Sequence, residues 1–134
     1  MVKLYEDREK GIVNAELFDT WAQQEAEKLR SLGLPPTQFR RFFGELRALE
    51  ARIRSLGDDE EAFRKVKPYL NLLFAKVHYQ TRDHKKAPAY EELERMLRDL
   101  FAGVETRKDF DVAMDAAQAV LAYFVPEQSK RKGG

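Results

Sequence analysis

Apolar residues recur along this chain at spacings of three and four, so that each long segment gathers them on one side of a helix and leaves charged residues on the other. After a polar lead over residues 1–11, Asn14 is placed to cap a helix running to about Leu32, with Leu17, Phe18, Trp21, Ala22, Glu25 and Leu29 along one side and Gly33 as its stop. Trp21 reads as the buried anchor of that stripe. Leu34-Pro35-Pro36 makes a stiff turn, and Thr37 is the expected cap of a second helix whose side Phe39, Phe42, Phe43, Leu46, Leu49 and Ile53 share. Leu56-Gly57 ends it, and Asp58 with Glu61 three residues on is the start signal for a third helix. Its stripe of Phe63, Val66, Leu70, Leu73, Phe74 and Val77 is interrupted by Pro68, which kinks the helix or splits it in two. The polar run QTRDHKKAP reads as a basic loop exposing Arg82, His84, Lys85 and Lys86, after which Pro88 opens a helix carrying Tyr90, Leu93, Met96, Leu97, Leu100 and Phe101. A last helix from about Thr106 to Val125 presents Phe110, Ala113, Met114, Ala117, Val120, Leu121 and Phe124, and Pro126 ends it.

No segment offers the alternation of a half-buried strand. The pattern therefore predicts an all-α protein, a compact bundle of about five helices forming a single helical domain over residues 12–126, with a disordered basic tail over 127–134. A chain of 134 residues is long enough to bury a core without disulfides or metals, and it has no cysteine. The charged start and the lack of any apolar run near ~18 residues predict a soluble, cytoplasmic protein with no membrane contact.

Charge changes the picture of the second helix. The net charge is only +1, but residues 37–86 carry 12 basic and 7 acidic groups, whereas 1–36 carry 5 and 7 and 87–134 carry 7 and 9. A basic middle on a near-neutral body suits a protein with both a polyanion and protein neighbours; the plainer reading is a solvated, charge-rich surface. Arg40, Arg47 and Arg54 recur every seven residues on one flank of the second helix, and Arg41 and Arg52 lie on the other. Arginines held on rigid backbone can follow an array of phosphates, or can simply pair with Glu45 and Glu50. Arg40 also stands where a capping box would place Glu or Gln, close to the positive end of the helix dipole. Gly44 either marks a close approach by another backbone or by RNA, or is incidental. Farther on, Lys65, Tyr69, Leu72, Lys76 and Tyr79 interleave cations with aromatic rings, which read as partly buried or as base-stacking.

Catalytic constellations are missing. His78 and His84 are six residues apart, which is not the i, i+4 geometry of a helical metal pair, and no Glu-x-x-His repeat, phosphate-cradling glycine loop or Gly-x-Ser-x-Gly turn occurs. The expectation is a protein that is not an enzyme and uses no cofactor or metal.

Three segments, in order and in register over about 90 residues, resemble the small subunit of the type III-A CRISPR interference complex, the Csm complex. They are Thr37-Gln38-Phe39-Arg40-Arg41-Phe42-Phe43-Gly44-Glu45, then Lys67-Pro68-Tyr69-Leu70 through Ala75-Lys76, and Asp109-Phe110 with Gln118-Ala119-Val120-Leu121-Ala122-Tyr123. Departures are Lys76 where the family usually has arginine, Ala75 near a usual glycine, and Gln118 in place of glutamate. The resemblance implies a helical, non-catalytic subunit, several copies of which stack along paired guide RNA and target RNA, beside the backbone and large subunits, in antiviral defence. Backbone contact without sequence preference then falls to some of Arg40, Arg41, Arg47, Arg54, Lys65, Lys67, Lys76 and Arg82. A protein-only helical adaptor whose basic surface meets an acidic partner is the alternative. A DNA-binding helix-turn-helix is a third reading, weakened by the turn Gly33-Leu34-Pro35-Pro36.

Overall fold

The computed structural model describes residues 2–82 and 85–125. Each amphipathic segment is a helix: α1 (Thr20–Ser31), α2 (Pro36–Ser55), α3 (Glu60–Val66), α4 (Pro68–Tyr79), α5 (Ala87–Phe101) and α6 (Arg107–Phe124). Lys67 separates α3 from α4 yet keeps helical dihedrals, φ −47° and ψ −43°, and its amide still bonds to the Phe63 carbonyl at 2.8 Å. Pro68, which has no N–H to give, ends the ladder, so the third predicted helix is a kinked pair and the bundle has five helical rods. The all-α expectation holds.

At the centre lies α6, packed against α1, α2 and α5. Phe110, Val112, Ala113, Met114, Ala116, Ala117, Val120 and Phe124 are all buried, a stripe far wider than one helical neighbour requires. The most extensive of its interfaces is with α1, where both helices bury small residues, Ala22 and Ala26 on one side and Ala113, Ala116 and Ala117 on the other. Phenyl rings link the rods: Phe63 (α3) lies 6.0 Å from Phe110, Phe110 5.8 Å from Phe101 (α5), and Phe101 6.4 Å from Phe74 (α4), all tilted. Phe39 of α2 meets Phe124 at 5.2 Å. Tilted pairs add to what area burial contributes.

Several local expectations are corrected. Strands do exist: β1 (Tyr5–Asp7) and β2 (Ile12–Val13) form a small antiparallel hairpin in what the sequence presents as a polar lead. Leu4 and Tyr5 are buried, too few apolar positions to show a period of two. Asn14 caps not α1 but a single 3₁₀ turn over Ala15–Phe18, and α1 starts five residues later than Ala15. Phe18 is exposed because the 3₁₀ turn takes it out of the α1 register, and Trp21, within α1, is only partly buried at the edge of the stripe formed by Ala22, Glu25, Ala26 and Leu29. α2 begins with Pro36 in its first turn rather than after a Thr37 cap. Arg40 and Arg41 thus sit a turn in from its positive end, and the dipole conflict is milder than the sequence suggests. Between α2 and α3, Gly57 adopts φ +121° and Asp58 φ +54°, so Asp58 turns the chain and Asp59 is the cap, its side chain accepting from Ala62 N at 2.8 Å. His84, Pro126 and the tail over 127–134 lie outside the described residues.

Asp109 is the polar centre of this fold. Its carboxylate accepts from the Tyr5 hydroxyl and the Arg8 guanidinium, each at 2.8 Å, and from the amides of Glu105 and Thr106 at 3.1 and 3.3 Å. Thr106 in turn accepts from the Asp109 amide, completing a capping box. Burial alone would raise the Asp109 pKa, but these donors outweigh it and hold the carboxyl below its ordinary 3.8. Burial and the bond to Asp109 push the Tyr5 hydroxyl from 10.0 up to about 12. The depressed carboxyl contributes stability above its unfolded pKa that is lost as pH falls through the folded value; the raised phenol contributes stability below its unfolded pKa that is lost as pH climbs toward about 12. Asp109→Asn is expected to cost about 2 kcal/mol, lowering the thermal midpoint at neutral pH and exposing the hairpin to limited proteolysis while helical circular dichroism is kept.

Candidate nucleic-acid interface

The side of α2 that faces away from the core is smooth. Thr37, Gly44, Ala48, Ala51 and Ser55 are exposed and fall on one strip of the helix, with Arg40, Arg47 and Arg54 along one edge and Arg41 and Arg52 along the other. A Cβ added at Gly44 would meet nothing within 4 Å, so no contact among the described residues explains the glycine. Small side chains between two rows of cations leave the helix backbone open to approach.

All eight candidate RNA contacts are exposed, but their electrostatic states differ. Arg47 donates to Glu50 at 3.1 Å and to Gln118 of α6, and stacks over Phe43 at 5.0 Å. Glu50 is buried and also holds Arg54 at 3.7 Å. Lys76 bridges α4 to α2 through Glu45 at 3.0 Å, and Lys65 lies 3.9 Å from Glu61. These four are already satisfied by carboxylates within the bundle. Arg40 has no partner among the described residues, and Arg41 makes only a long 3.5 Å bond to Gln38 and a ring contact with Phe42. Lys67 lies over Phe63 at 6.0 Å and Arg82 over Tyr79 at 4.9 Å, neither with a carboxylate among the described residues. The cations that remain available to an external anion are therefore Arg40, Arg41, Lys67 and Arg82.

Two more cations join them. Arg52 stacks on the Tyr69 ring at 4.8 Å and has no carboxylate partner among the described residues. Arg64, with no carboxylate partner among the described residues, lies at the wall of a groove of about 470 Å³ between the α3–α4 kink and α5, with Lys67, Asn71, Phe74 and Phe101. The sequence signal for Arg64 was the run Arg64-Lys65-Val66-Lys67, but the pairing that removes Lys65 and spares Arg64 depends on side-chain reach. His78 is held by Glu94 of α5 at 2.8 Å, and Arg98 takes the other oxygen of the same carboxylate at 2.8 Å. Burial would raise the Glu94 pKa, but donation from Arg98 and His78 lowers it below the usual range. Among the described residues no group of three or more His, Cys, Asp or Glu is arranged to hold a metal ion, and no described helix is long and apolar enough to cross a membrane.

This division predicts different responses to truncation. Arg47→Ala leaves buried Glu50 with only the more distant Arg54 and cuts the tie to α6, at an expected cost of about 1–2 kcal/mol in chemical denaturation. Arg40→Ala should stay within about 0.5 kcal/mol of the parent, as for a surface change that breaks nothing. Gly44→Ala, with free space for the methyl group, is expected to raise stability by up to about 1 kcal/mol, read as a higher thermal midpoint.

Comparison with curated proteins and with solved structures gave no match. The family model described as Csm2 Type III-A matches residues 13–129, from the second strand of the hairpin past the last helix. It takes in all three motif segments, which in this fold are fastened to one another: Glu45 of the first grips Lys76 of the second, and Arg47, two residues past the first, grips Gln118 of the third. The chain therefore belongs to the Csm2 Type III-A family, the small subunit of the type III-A CRISPR effector complex.

Proposed function

We propose that this subunit contacts the backbone of guide and target RNA, without sequence preference, through the outward face of α2 and the unpaired cations beside it. The observation that carries the reading is the smooth strip of Gly44, Ala48, Ala51 and Ser55 between Arg40 on one edge and Arg41 and Arg52 on the other. Phosphates need cations that are not already neutralised, and a helix that presents glycine and alanine lets a strand come near its backbone. Arg64, Lys67 and Arg82, on and beside α3 and α4, are further exposed cations without a carboxylate partner among the described residues. Arg47, Arg54, Lys65 and Lys76 contribute to the field around it while holding the helices together, and so act on RNA more weakly than their charge suggests.

In this reading the subunit performs no catalysis. It positions RNA for the other subunits of a cytoplasmic ribonucleoprotein that acts in antiviral defence, with several copies stacking along the guide-target duplex. A binding role without sequence readout is supported by cations that lie on the faces of rigid helices, suited to a regular backbone.

The test is the affinity of the folded chain for single-stranded RNAs of unrelated sequence, measured by fluorescence anisotropy over a range of salt. Affinity should fall linearly on a log–log plot against salt, by roughly 0.7 per phosphate neutralised, and should be similar for all sequences. Arg40→Glu together with Arg41→Glu should weaken binding about tenfold or more, the equivalent of one lost charge-assisted bond. Salt-independent binding, or full affinity in that double variant, would rule the reading out.

A further inference from the structure

The outer side of α4 is unlike that of the other helices. Elsewhere the solvent side carries charge or amide groups, as on α1 with Gln23, Gln24 and Glu27, or small residues between arginines, as on α2. On α4 it carries Pro68, Leu72, Ala75 and Tyr79, at spacings of four, three and four, with Tyr69 alongside. Tyr69 is 41%, Leu72 52% and Tyr79 59% exposed. A row spanning three turns, about 16 Å long, is thus apolar to solvent on a helix whose other side is core. Asn71 and His78 flank this row on one side and Lys76 on the other, so the apolar surface is a stripe with polar borders.

Its surroundings are positive. Arg52 and Arg82 cover one face of Tyr69 and Tyr79 at 4.8 and 4.9 Å, and Arg64 and Lys67 stand at the N-terminal end. None of the four has a carboxylate partner among the described residues. Beside the row, between α2 and α4, lies a notch of about 90 Å³ lined by Leu49, Tyr69, Leu72 and Leu73 with the Glu45–Lys76 ion pair at its wall, of a size for one inserted side chain.

RNA is a poor match for the middle of this row, because Leu72, Ala75 and Pro68 give neither a ring to stack on nor a charge for phosphate. A second copy of the chain is also a poor match. Pairing α4 with α4 would bring like charges together, and the other exposed large apolar residues among those described, Ile12, Phe18, Leu32, Leu56 and Tyr123, stand singly on the hairpin, the 3₁₀ turn and helix ends. We propose that the outer face of α4 docks an amphipathic helix of a different protein subunit, one whose apolar row is flanked by Asp and Glu. The apolar row fills the notch and covers Leu72, and the acidic flanks meet Arg52, Arg64, Lys67 and Arg82. This does not depend on RNA binding by Arg40 and Arg41 of α2: with the partner docked, Arg52, Arg64, Lys67 and Arg82 meet its carboxylates rather than phosphate, and the two readings fail separately.

The test uses the assembled effector complex carrying Leu72→p-benzoylphenylalanine, irradiated and analysed by mass spectrometry. An adduct to a helical segment of another protein subunit, with acidic residues beside its apolar positions, is expected. An adduct to RNA, to a second copy, or to a segment without acidic residues overturns the proposal, as does the absence of any adduct. In parallel, Leu72→Asp, at an exposed position, should keep the thermal midpoint and the RNA affinity of the free chain while recovery of the chain with the complex falls at least about tenfold, as for a central interface residue. Unchanged recovery overturns the proposal; loss of RNA affinity with normal recovery would assign Leu72 to the RNA surface instead.

Discussion

Two adjacent residues at the start of α6 hold this fold at its crossing point. Phe110 is the ring that both Phe63 and Phe101 lean on, so α3, α5 and, through Phe74, α4 are packed in series against one side chain. Asp109 collects the hydroxyl of Tyr5, the guanidinium of Arg8 and two backbone amides of its own turn. Apolar packing would tolerate some sliding of rods, but a buried carboxylate with four donors does not. Arg107, the first residue of the same helix, adds Asp58, Asp111 and the Glu60 carboxylate, tying the α2–α3 turn to this point.

The helices were legible because a period of 3.6 repeats many times in a segment of twelve or more residues. Phe39, Phe42, Phe43, Leu46 and Ile53 are core as their spacing implies, and Gly33 and Pro88 mark the boundaries they signal. The hairpin was not legible, because two strands of three and two residues carry no period to detect. Phe18 shows the same limit in another form, because a 3₁₀ turn ahead of α1 shifts its phase, whereas Trp21, inside α1, falls at the edge of the buried stripe of Ala22, Glu25, Ala26 and Leu29. Asp58 and Asp59 are chemically alike, and the choice between cap and turn was made by a left-handed backbone that no side-chain pattern records.

For the candidate surface, the sequence supplied the cations and the fold supplied their partners. Glu45 and Lys76 are 31 residues apart and Arg47 and Gln118 are 71 apart, so neither pairing follows from any local rule. Once made, they change what the motif segments mean. Part of their charge is internal fastening between α2 and its neighbours on both sides, and the residues free to meet an anion are the less conspicuous ones between them.

The bond between Tyr5 and Asp109 joins residues 104 positions apart, and this separation has a consequence for synthesis. The hairpin is synthesised before the helices, yet the carboxylate that fixes it is made only at the start of α6, after the other rods. Until then Tyr5 and Arg8 lack that partner, and the series of four phenyl rings from Phe63 to Phe74 lacks Phe110 at its middle. A chain that stops short of α6 is left with an unlatched beginning and an open core, the state that proteases and chaperones recognise. Closure of this fold therefore requires that translation has passed residue 109.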